Sequence, residues 1–201
     1  MTIRAIALLV SLCSVTGCSL IAPTDPPRSR PTGKPAVISP KPPSAPPAAR
    51  VGLPQLGLGA ASGAAGQTVT VSATLRTGSV ALAGTQNDIE FDPGQIAIAA
   101  KPNGKPDCAA NPALGKEGTA FSFLPAGCQK GGTCSSVRAL VLSLSNVDPI
   151  PDGAVLYTCR VRIAAGAAPG AHPLSIMRVG FSSPNGQAVH GAGENGRVMV
   201  Q

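Results

Sequence analysis

Short runs of alternating apolar and polar residues, each closed by turn residues, constrain this chain more than any other feature. In residues 154–163 (AVLYTCRVRI), five apolar side chains from Val155 to Ile163 share one face, and two arginines share the other. Successive side chains of a strand point to opposite faces, so this period predicts a half-buried β-strand. The same period recurs at intervals along most of the chain.

Eight such runs follow residue 51: residues 68–75, 84–91, 95–99, 120–124, 136–145, 154–163, 172–179 and 196–200. In the fifth run, Leu140, Leu142 and Leu144 share the predicted apolar face. No segment combines a 3.6-residue period with helix formers and caps, and 24 Gly and 21 Pro disfavour long helices. We predict an all-β fold for residues 51–201, an antiparallel β-sandwich of about eight to nine strands.

The first residues have the pattern of an export signal. Arg4 precedes an apolar run at residues 5–13, which is too short to span a bilayer. The sequence VTGC at residues 15–18 resembles the lipobox of bacterial lipoproteins. That resemblance implies a signal peptide over residues 1–17 and a lipid on the Cys18 thiol. The alternative is ordinary signal cleavage nearby, which leaves Cys18 as a free thiol.

Residues 18–50 contain ten of the 21 prolines and no hydrophobic period. Such a segment is predicted to be a disordered, extended stalk that reaches at most roughly 100 Å at about 3.1 Å per residue. In bacterial lipoproteins, an Asp directly after the lipidated cysteine signals retention in the inner membrane. This chain has Ser19 at that position. We therefore expect an exported, membrane-anchored lipoprotein, with the outer membrane or cell surface favoured.

The net charge of +7 belongs mainly to the N-terminal part. Residues 18–50 hold five basic residues and one acid, whereas residues 51–201 hold ten basic and eight acidic residues. Nucleic-acid binding needs basic residues clustered on one face together with aromatic platforms. The sequence displays neither, so we predict no nucleic-acid partner.

The order of the strands and turns over residues 60–201 resembles that of the cohesin domains. The matching pieces are a Gly-rich opening strand at 63–75, GTQNDIEFDPGQIAIA at 84–99, IPDG at 150–153, VLYTCRVRI at 155–163 and the turn Pro169-Gly170. Cohesins share their sandwich with a superfamily of bacterial carbohydrate-binding modules. The resemblance therefore implies a cohesin-like β-sandwich of the jelly-roll type.

Cohesins bind dockerins, which are small calcium-loaded helical modules, mainly through one sheet face. The resemblance implies a dockerin-like protein partner, for which a secreted polysaccharide-degrading enzyme is a candidate, and places residues 84–91 and 136–145 on the binding sheet. No individual contact residue can be matched, so the binding residues stay unassigned. A carbohydrate-binding module and a structural envelope lipoprotein are the alternatives, and polysaccharide is an alternative partner. A flat, mixed polar and apolar sheet face would favour the cohesin-type function, and a fully charged one the structural role.

Four cysteines follow Cys18, and export lets them oxidise. Cys128 and Cys134 flank QKGGT between two predicted strands, so a disulfide there would close a hairpin and leave Cys108 with Cys159. The alternative pairs Cys108 with Cys128 and Cys134 with Cys159. The cohesin strand order implies that Cys108 and Cys159 lie on neighbouring segments, which favours the first pairing.

The sequence offers no catalytic or metal-binding constellation. The cysteines lack the close pairs that zinc requires, and His172 and His190 are predicted to lie at the surface. We therefore expect no enzyme, cofactor or metal. Asp88, Glu90 and Asp92 alternate along one strand and are predicted to form a solvated acidic face rather than a calcium or partner contact.

The chain has no Trp, one Tyr and four Phe, and most of the rings lie in strand patterns that suggest burial. This disfavours carbohydrate binding by stacking on exposed rings. Carbohydrate binding in a polar groove stays as the alternative.

Overall fold

The structure is a computed structural model that describes residues 52–201. The predicted signal peptide, Cys18 and the stalk lie outside the described residues. Those described contain thirteen strands: β1 Gln55–Leu58, β2 Ala60–Gly63, β3 Thr68–Arg76, β4 Gly84–Glu90, β5 Ile96–Ile98, β6 Cys108–Ala110, β7 Ala120–Leu124, β8 Ser136–Val141, β9 Val155–Ile163, β10 Gly170–Ser182, β11 Ala188–Val189, β12 Ala192–Glu194 and β13 Gly196–Val200. A single 3₁₀ turn, Pro112–Leu114, precedes β7.

The strands form two sheets that make a β-sandwich, as the sequence predicts. Sheet one has the order β12-β1-β3-β9-β5, and β6 also pairs with β9. Sheet two has the order β2-β13-β10-β4-β8-β7, and β11 pairs with β10. All eight predicted runs are strands, and the five additional ones are only two to four residues long.

Two pairings depart from the antiparallel pattern. The chain leaves sheet one at the end of β1 and enters sheet two as β2, with Gly59 between them. β1 pairs in parallel with β12, and β2 pairs in parallel with β13. One extended segment therefore contributes an early strand to both sheets, and a late strand pairs with each part.

The core lies between the two sheets and is made mostly of aliphatic residues. Leu75, Ile89, Leu156, Val161 and Leu174 are completely buried. With few aromatic rings to fill the interior, many small branched side chains take their place. Burial of apolar area at about 25 cal/mol per Å² is the main stabilising contribution here.

The apolar face predicted for β8 is wrong. Val137, Ala139 and Val141 face the core, whereas Leu140 is half-buried and Leu144, beyond the strand, is 94% exposed. Both faces of this run carry apolar residues, so the period alone cannot choose between them. Pairing with β4 sets Val137 opposite the buried Ile89 and decides which face turns inward.

Two disulfides join neighbouring segments. Cys108 of β6 bonds to Cys159 of β9, directly opposite it in the ladder. Cys128 bonds to Cys134 and closes the connection between β7 and β8. These are the pairs that the sequence analysis favours. Residues 52–201 include no helix with the length and apolar character needed to cross a membrane.

Candidate binding face

The outer surface of sheet two carries the candidate site. On β4, Asn87 and Ile89 point into the core, so Gln86, Asp88 and Glu90 point outward by alternation. The register places Asp88 between Arg138 of β8 and Met177 of β10, and Gln86 opposite Leu140 of β8. The β4–β8–β10 face is the surface formed by these outward side chains: Gln86, Asp88, Glu90, Arg138, Leu140 and Met177.

Asp88 lies at the centre of this face, and its side chain is only 2% exposed. Arg138 donates two hydrogen bonds to it, from Nε to Oδ1 at 2.7 Å and from Nη2 to Oδ2 at 2.9 Å. Arg178 donates a third from Nη1 to Oδ2 at 3.1 Å. The predicted solvated acidic face is therefore wrong for Asp88, because the two arginine side chains cover the carboxylate.

Arg178 reaches Asp88 through an irregularity in β10. The register with β4 shifts between Met177 and Gly180, and Arg178 adopts a left-handed backbone with φ 49°. Bulges re-aim side chains in this way. A regular strand would turn the residue after Met177 toward the core. Local sequence gives no signal of this contact, since the three partners come from three separate strands.

The arginines also set the protonation of the cluster. Hydrogen bonds from Arg138 hold the pKa of the Asp88 carboxyl below its ordinary value, and the positive charges of Arg138 and Arg178 act in the same direction. Asp88 in turn raises the pKa of Arg138. One carboxylate therefore lies between two guanidinium groups, and the cluster of Asp88, Arg138 and Arg178 is net positive.

Shallow cavities flank the charged centre on both sides. One of about 250 Å³ is lined by Gln86, Leu140, Leu142, Gly180 and Ser182, among others. The other, of about 420 Å³, lies beside Glu90, Leu124, Pro125, Ser136 and Arg178. Met177, opposite Asp88 in the ladder, is 46% exposed. The face therefore alternates polar and apolar contact groups.

A tightly bonded loop follows β8 beyond Leu140 and Leu142. The buried Lys116 donates from Nζ to the carbonyl oxygens of Asn146 and Asp148, each at 2.8 Å, and burial lowers the pKa of this lysine. Glu117 accepts hydrogen bonds from the hydroxyls of Ser143 and Ser145. These bonds lower the pKa of Glu117 to about 2.

The remaining residues considered from the sequence have structural or surface roles. Asp92 is exposed and accepts the backbone N–H of Gly94 at 2.9 Å in the turn after β4. His190 is exposed, and half-buried His172 donates from Nε2 to the carbonyl of Ala168 at 2.7 Å. Within residues 52–201, no group of three or more His, Cys, Asp or Glu side chains is placed to hold a metal ion.

None of the five aromatic rings of residues 52–201 is fully exposed at the surface. Phe91, Tyr157 and Phe181 are buried, and Phe121 and Phe123 are half-buried against the core. Phe121 packs edge-on against Tyr157, with ring centroids 5.3 Å apart.

Comparison with known proteins gives structural matches only. No family model and no curated protein matches the chain. The CaCohA2 protein of Clostridium acetobutylicum is 18% identical, with a TM-score of 0.58 over 74% of this chain and 91% of its own. A type I cohesin–dockerin complex from Clostridium thermocellum matches at 14% identity and a TM-score of 0.56, covering 75% of this chain and 100% of that one.

A non-cellulosomal cohesin from the archaeon Archaeoglobus fulgidus matches at 12% identity and a TM-score of 0.54, covering 75% of this chain and 92% of that one. At these identities the likeness is one of fold. Residues 52–201 therefore have the cohesin fold that the sequence resemblance implies.

Proposed function

We propose that this chain is an exported, lipid-anchored, cohesin-type module that binds a dockerin-like protein through the β4–β8–β10 face. The observation that carries this proposal is the mixed character of that face. Charged Arg138 and half-buried Leu140 lie on β8, and charged Arg178 and exposed Met177 lie on β10, so the two pairs flank β4 on either side. A fully charged face would instead have favoured a structural envelope role.

The chemistry of the face supports protein recognition. Protein interfaces are enriched in Arg and Met at their centres and depleted in Lys and Glu. Asp88 fixes Arg138 in a two-pronged geometry before any partner arrives, so little side-chain entropy is lost on binding. The expected partner surface places a carboxylate near exposed Arg178 and an apolar side chain over Met177.

The proposed activity is non-covalent recognition without catalysis. The module itself requires no cofactor, and any calcium would belong to the dockerin-like partner. Carbohydrate binding by ring stacking is not favoured, because the five rings of residues 52–201 are buried or half-buried.

The anchor and location form the second part of the proposal. A lipid on Cys18 and a Pro-rich stalk over residues 18–50 would hold the module away from an outer membrane or cell surface. A partner that degrades polysaccharide would then be retained near the cell. Labelling with a radioactive fatty acid tests the anchor: the wild type should incorporate label and Cys18→Ala should not. Equal labelling of both would refute lipidation at this residue.

The partner is tested by capture on the oxidised full chain. Secreted and envelope proteins of the source cell are applied in calcium, and the bound fraction is released with a chelator. We expect the released proteins to share one small calcium-binding module. Retention that is indifferent to the chelator, or no retention, would contradict the dockerin-like partner.

Two exposed methionines provide a matched pair of variants for the face. Met177 on the face is 46% exposed, and Met199 on β13 is 39% exposed. Met199 pairs with Ala171, roughly 20 Å along β10 from Met177 at about 3.3 Å per residue. We expect Met177→Lys to weaken partner binding by about thirtyfold, as at an interface hot spot. Met199→Lys should leave binding within twofold, and equal losses would remove the site from this face.

A further inference from the structure

Charge in the described residues is divided unevenly between surfaces. Residues 52–201 hold ten basic and eight acidic side chains. Five of the basic and one of the acidic residues gather where β5, β6 and the connection between β7 and β8 meet: Lys101, Lys105, Lys130, Arg160, Arg162 and Asp107. We call this group the basic patch. The rest of the described surface has five basic and seven acidic residues and is net negative.

Close approaches between segments make the basic patch continuous. A Cβ built on Gly131 would lie 2.7 Å from Nη2 of Arg162, so the guanidinium rests against the Gly131 backbone. A Cβ built on Gly104 would lie 2.6 Å from Nζ of Lys130, which brings that ammonium beside the residue preceding Lys105. Arg162, Lys130 and Lys105 are therefore neighbours in space, although they come from three separate segments of the chain.

Most of this charge is not neutralised within residues 52–201. Nη1 of Arg160 lies 3.7 Å from Oδ2 of Asp107, and Nζ of Lys101 donates a hydrogen bond to the carbonyl oxygen of Cys108 at 2.8 Å. Lys105, Lys130 and Arg162 form no salt bridge with any described carboxylate. Like charges held together repel one another, and an anion that binds among them relieves that repulsion.

The connection that carries Lys130 is rigid. The Cys128–Cys134 disulfide closes it, and Gly131 turns with φ 75°. Within the ring, the backbone N–H of Gln129 donates to the hydroxyl of Thr133 at 2.8 Å, and the Thr133 N–H donates back to the Gln129 carbonyl at 2.9 Å. This bonding fixes the backbone from which the Lys130 side chain extends.

Lys130 lines two neighbouring open cavities. One of about 290 Å³ is lined by Arg162, Gly131 and the backbone of residues 97–100. The other, of about 410 Å³, is lined by Lys105, Ser122 and Phe123, among others. A single small anion would occupy only one of them, whereas a chain of repeating anionic units can occupy both.

Hydroxyl groups adjoin the arginines on sheet one. The ladder sets Thr68 opposite Arg162 and Thr70 opposite Arg160, on the face that points away from the core. Guanidinium groups bind carboxylates through two parallel hydrogen bonds, and threonine hydroxyls both donate and accept. This combination suits a ligand that carries carboxylates and hydroxyls together.

We propose that the basic patch binds an acidic polysaccharide through its uronate carboxylates, with Arg162 and Lys130 as the central contacts and Lys105 as an outer one. The patch and the β4–β8–β10 face use different side chains, so this site does not depend on the dockerin-like partner. Nucleic acid is less suited, because single strands stack successive bases on several exposed rings, whereas Phe121 and Phe123 are both half-buried against the core.

The test measures the binding of polygalacturonate to the full oxidised chain in low salt. We expect saturable binding that weakens as salt rises, because exposed charges are screened. Methyl-esterified polygalacturonate, which lacks the carboxylate charge, should not bind. The combined variant Lys130→Gln with Arg162→Gln should bind at least tenfold more weakly and unfold at the same denaturant concentration as the wild type, because both side chains are exposed.

The matched control is Arg76→Gln with Arg197→Gln, which removes the same charge from exposed positions outside the basic patch. It should stay within twofold of the wild type. An equal loss in both combined variants would overturn the proposal in favour of unspecific charge attraction. Absence of binding, or tighter binding of single-stranded DNA of the same charge, would also overturn it.

Discussion

The phenol of Tyr157 on β9 donates a hydrogen bond to the side-chain amide oxygen of Asn87 on β4, at 2.9 Å. Tyr157 belongs to sheet one and Asn87 to sheet two, and the two residues are 1% and 0% exposed. Burial raises the pKa of the tyrosine, so the phenol stays protonated and remains a donor. This directional bond crosses a mostly aliphatic core and joins one sheet to the other.

Removing the donor should therefore destabilise the sandwich. Tyr157→Phe leaves the Asn87 amide oxygen buried without its partner, and a buried unsatisfied polar group costs about 1–3 kcal/mol. Denaturant unfolding measures the loss. The combined variant Tyr157→Phe with Asn87→Leu should recover part of it, since both polar groups are then gone. A single variant as stable as the wild type would contradict this role.

Acid should destabilise the domain partly through Asp88. Its pKa is lower folded than unfolded, so the stabilisation is fully present above the unfolded value of about 3.9 and is lost as pH falls through the folded value. Asp88→Asn should lower the free energy of unfolding at pH 7 by roughly 1.5–3 kcal/mol. It should also flatten the fall in stability below about pH 4.

Thermal unfolding between pH 2 and 7 tests this prediction. Glu90→Gln removes one exposed carboxylate from the same strand and is the charge-matched control, because it leaves Asp88 and both arginines intact. If Asp88→Asn and the wild type lose stability in parallel below pH 4, Asp88 is not the group responsible.

The two disulfides should contribute unequally. Cys108 and Cys159 are 51 positions apart, whereas Cys128 and Cys134 are 6 apart. In the chain-entropy account, a longer closed loop restricts the unfolded state more, about 4 kcal/mol here against about 2 kcal/mol for the short loop. Paired Cys→Ala variants, compared by denaturant unfolding, should follow this order. A larger loss from the short loop would rule out chain entropy as the dominant cause.

The lysine beneath the loop after β8 should control the dynamics of that loop. Lys116→Met removes the two hydrogen bonds to the carbonyls of Asn146 and Asp148. We expect hydrogen exchange at the Asn146 amide to speed up at least tenfold through local opening. Lys105→Met, which alters an exposed lysine, is the control and should leave that rate unchanged. Unaltered exchange in Lys116→Met would assign the loop geometry to other contacts.

The strands can be predicted from the sequence where an alternating run of apolar and polar residues ends at turn residues. The bounds of β7 and β13 match the predicted runs, and Asp92 ends β4 as the turn signal indicates. The short strands β6, β11 and β12 could not be predicted, because two or three residues carry no period. They are strands only by virtue of their ladder partners.

The site was harder to predict because it depends on register. The sequence alone predicts that Asp88 is an exposed strand residue. Only the pairing of β4 with β8 and β10 brings Arg138 and Arg178 to its carboxylate. The basic patch likewise joins Lys130 to Arg162, which are distant in sequence. The composition gives the net charge of residues 52–201. It does not show that basic residues cluster in one patch while the rest of the surface is net negative.

The parallel pairings at the two sheet edges affect the timing of folding. β1 and β2 each need a partner from residues 192–200, so these ladders close only after the last strands exist. Residue 200 follows residue 63 by 137 positions, and at about 5–20 residues per second the wait during synthesis is roughly 7–30 s. Throughout that interval neither sheet is complete, so the chain cannot reach its final sandwich until its last strands have been synthesised.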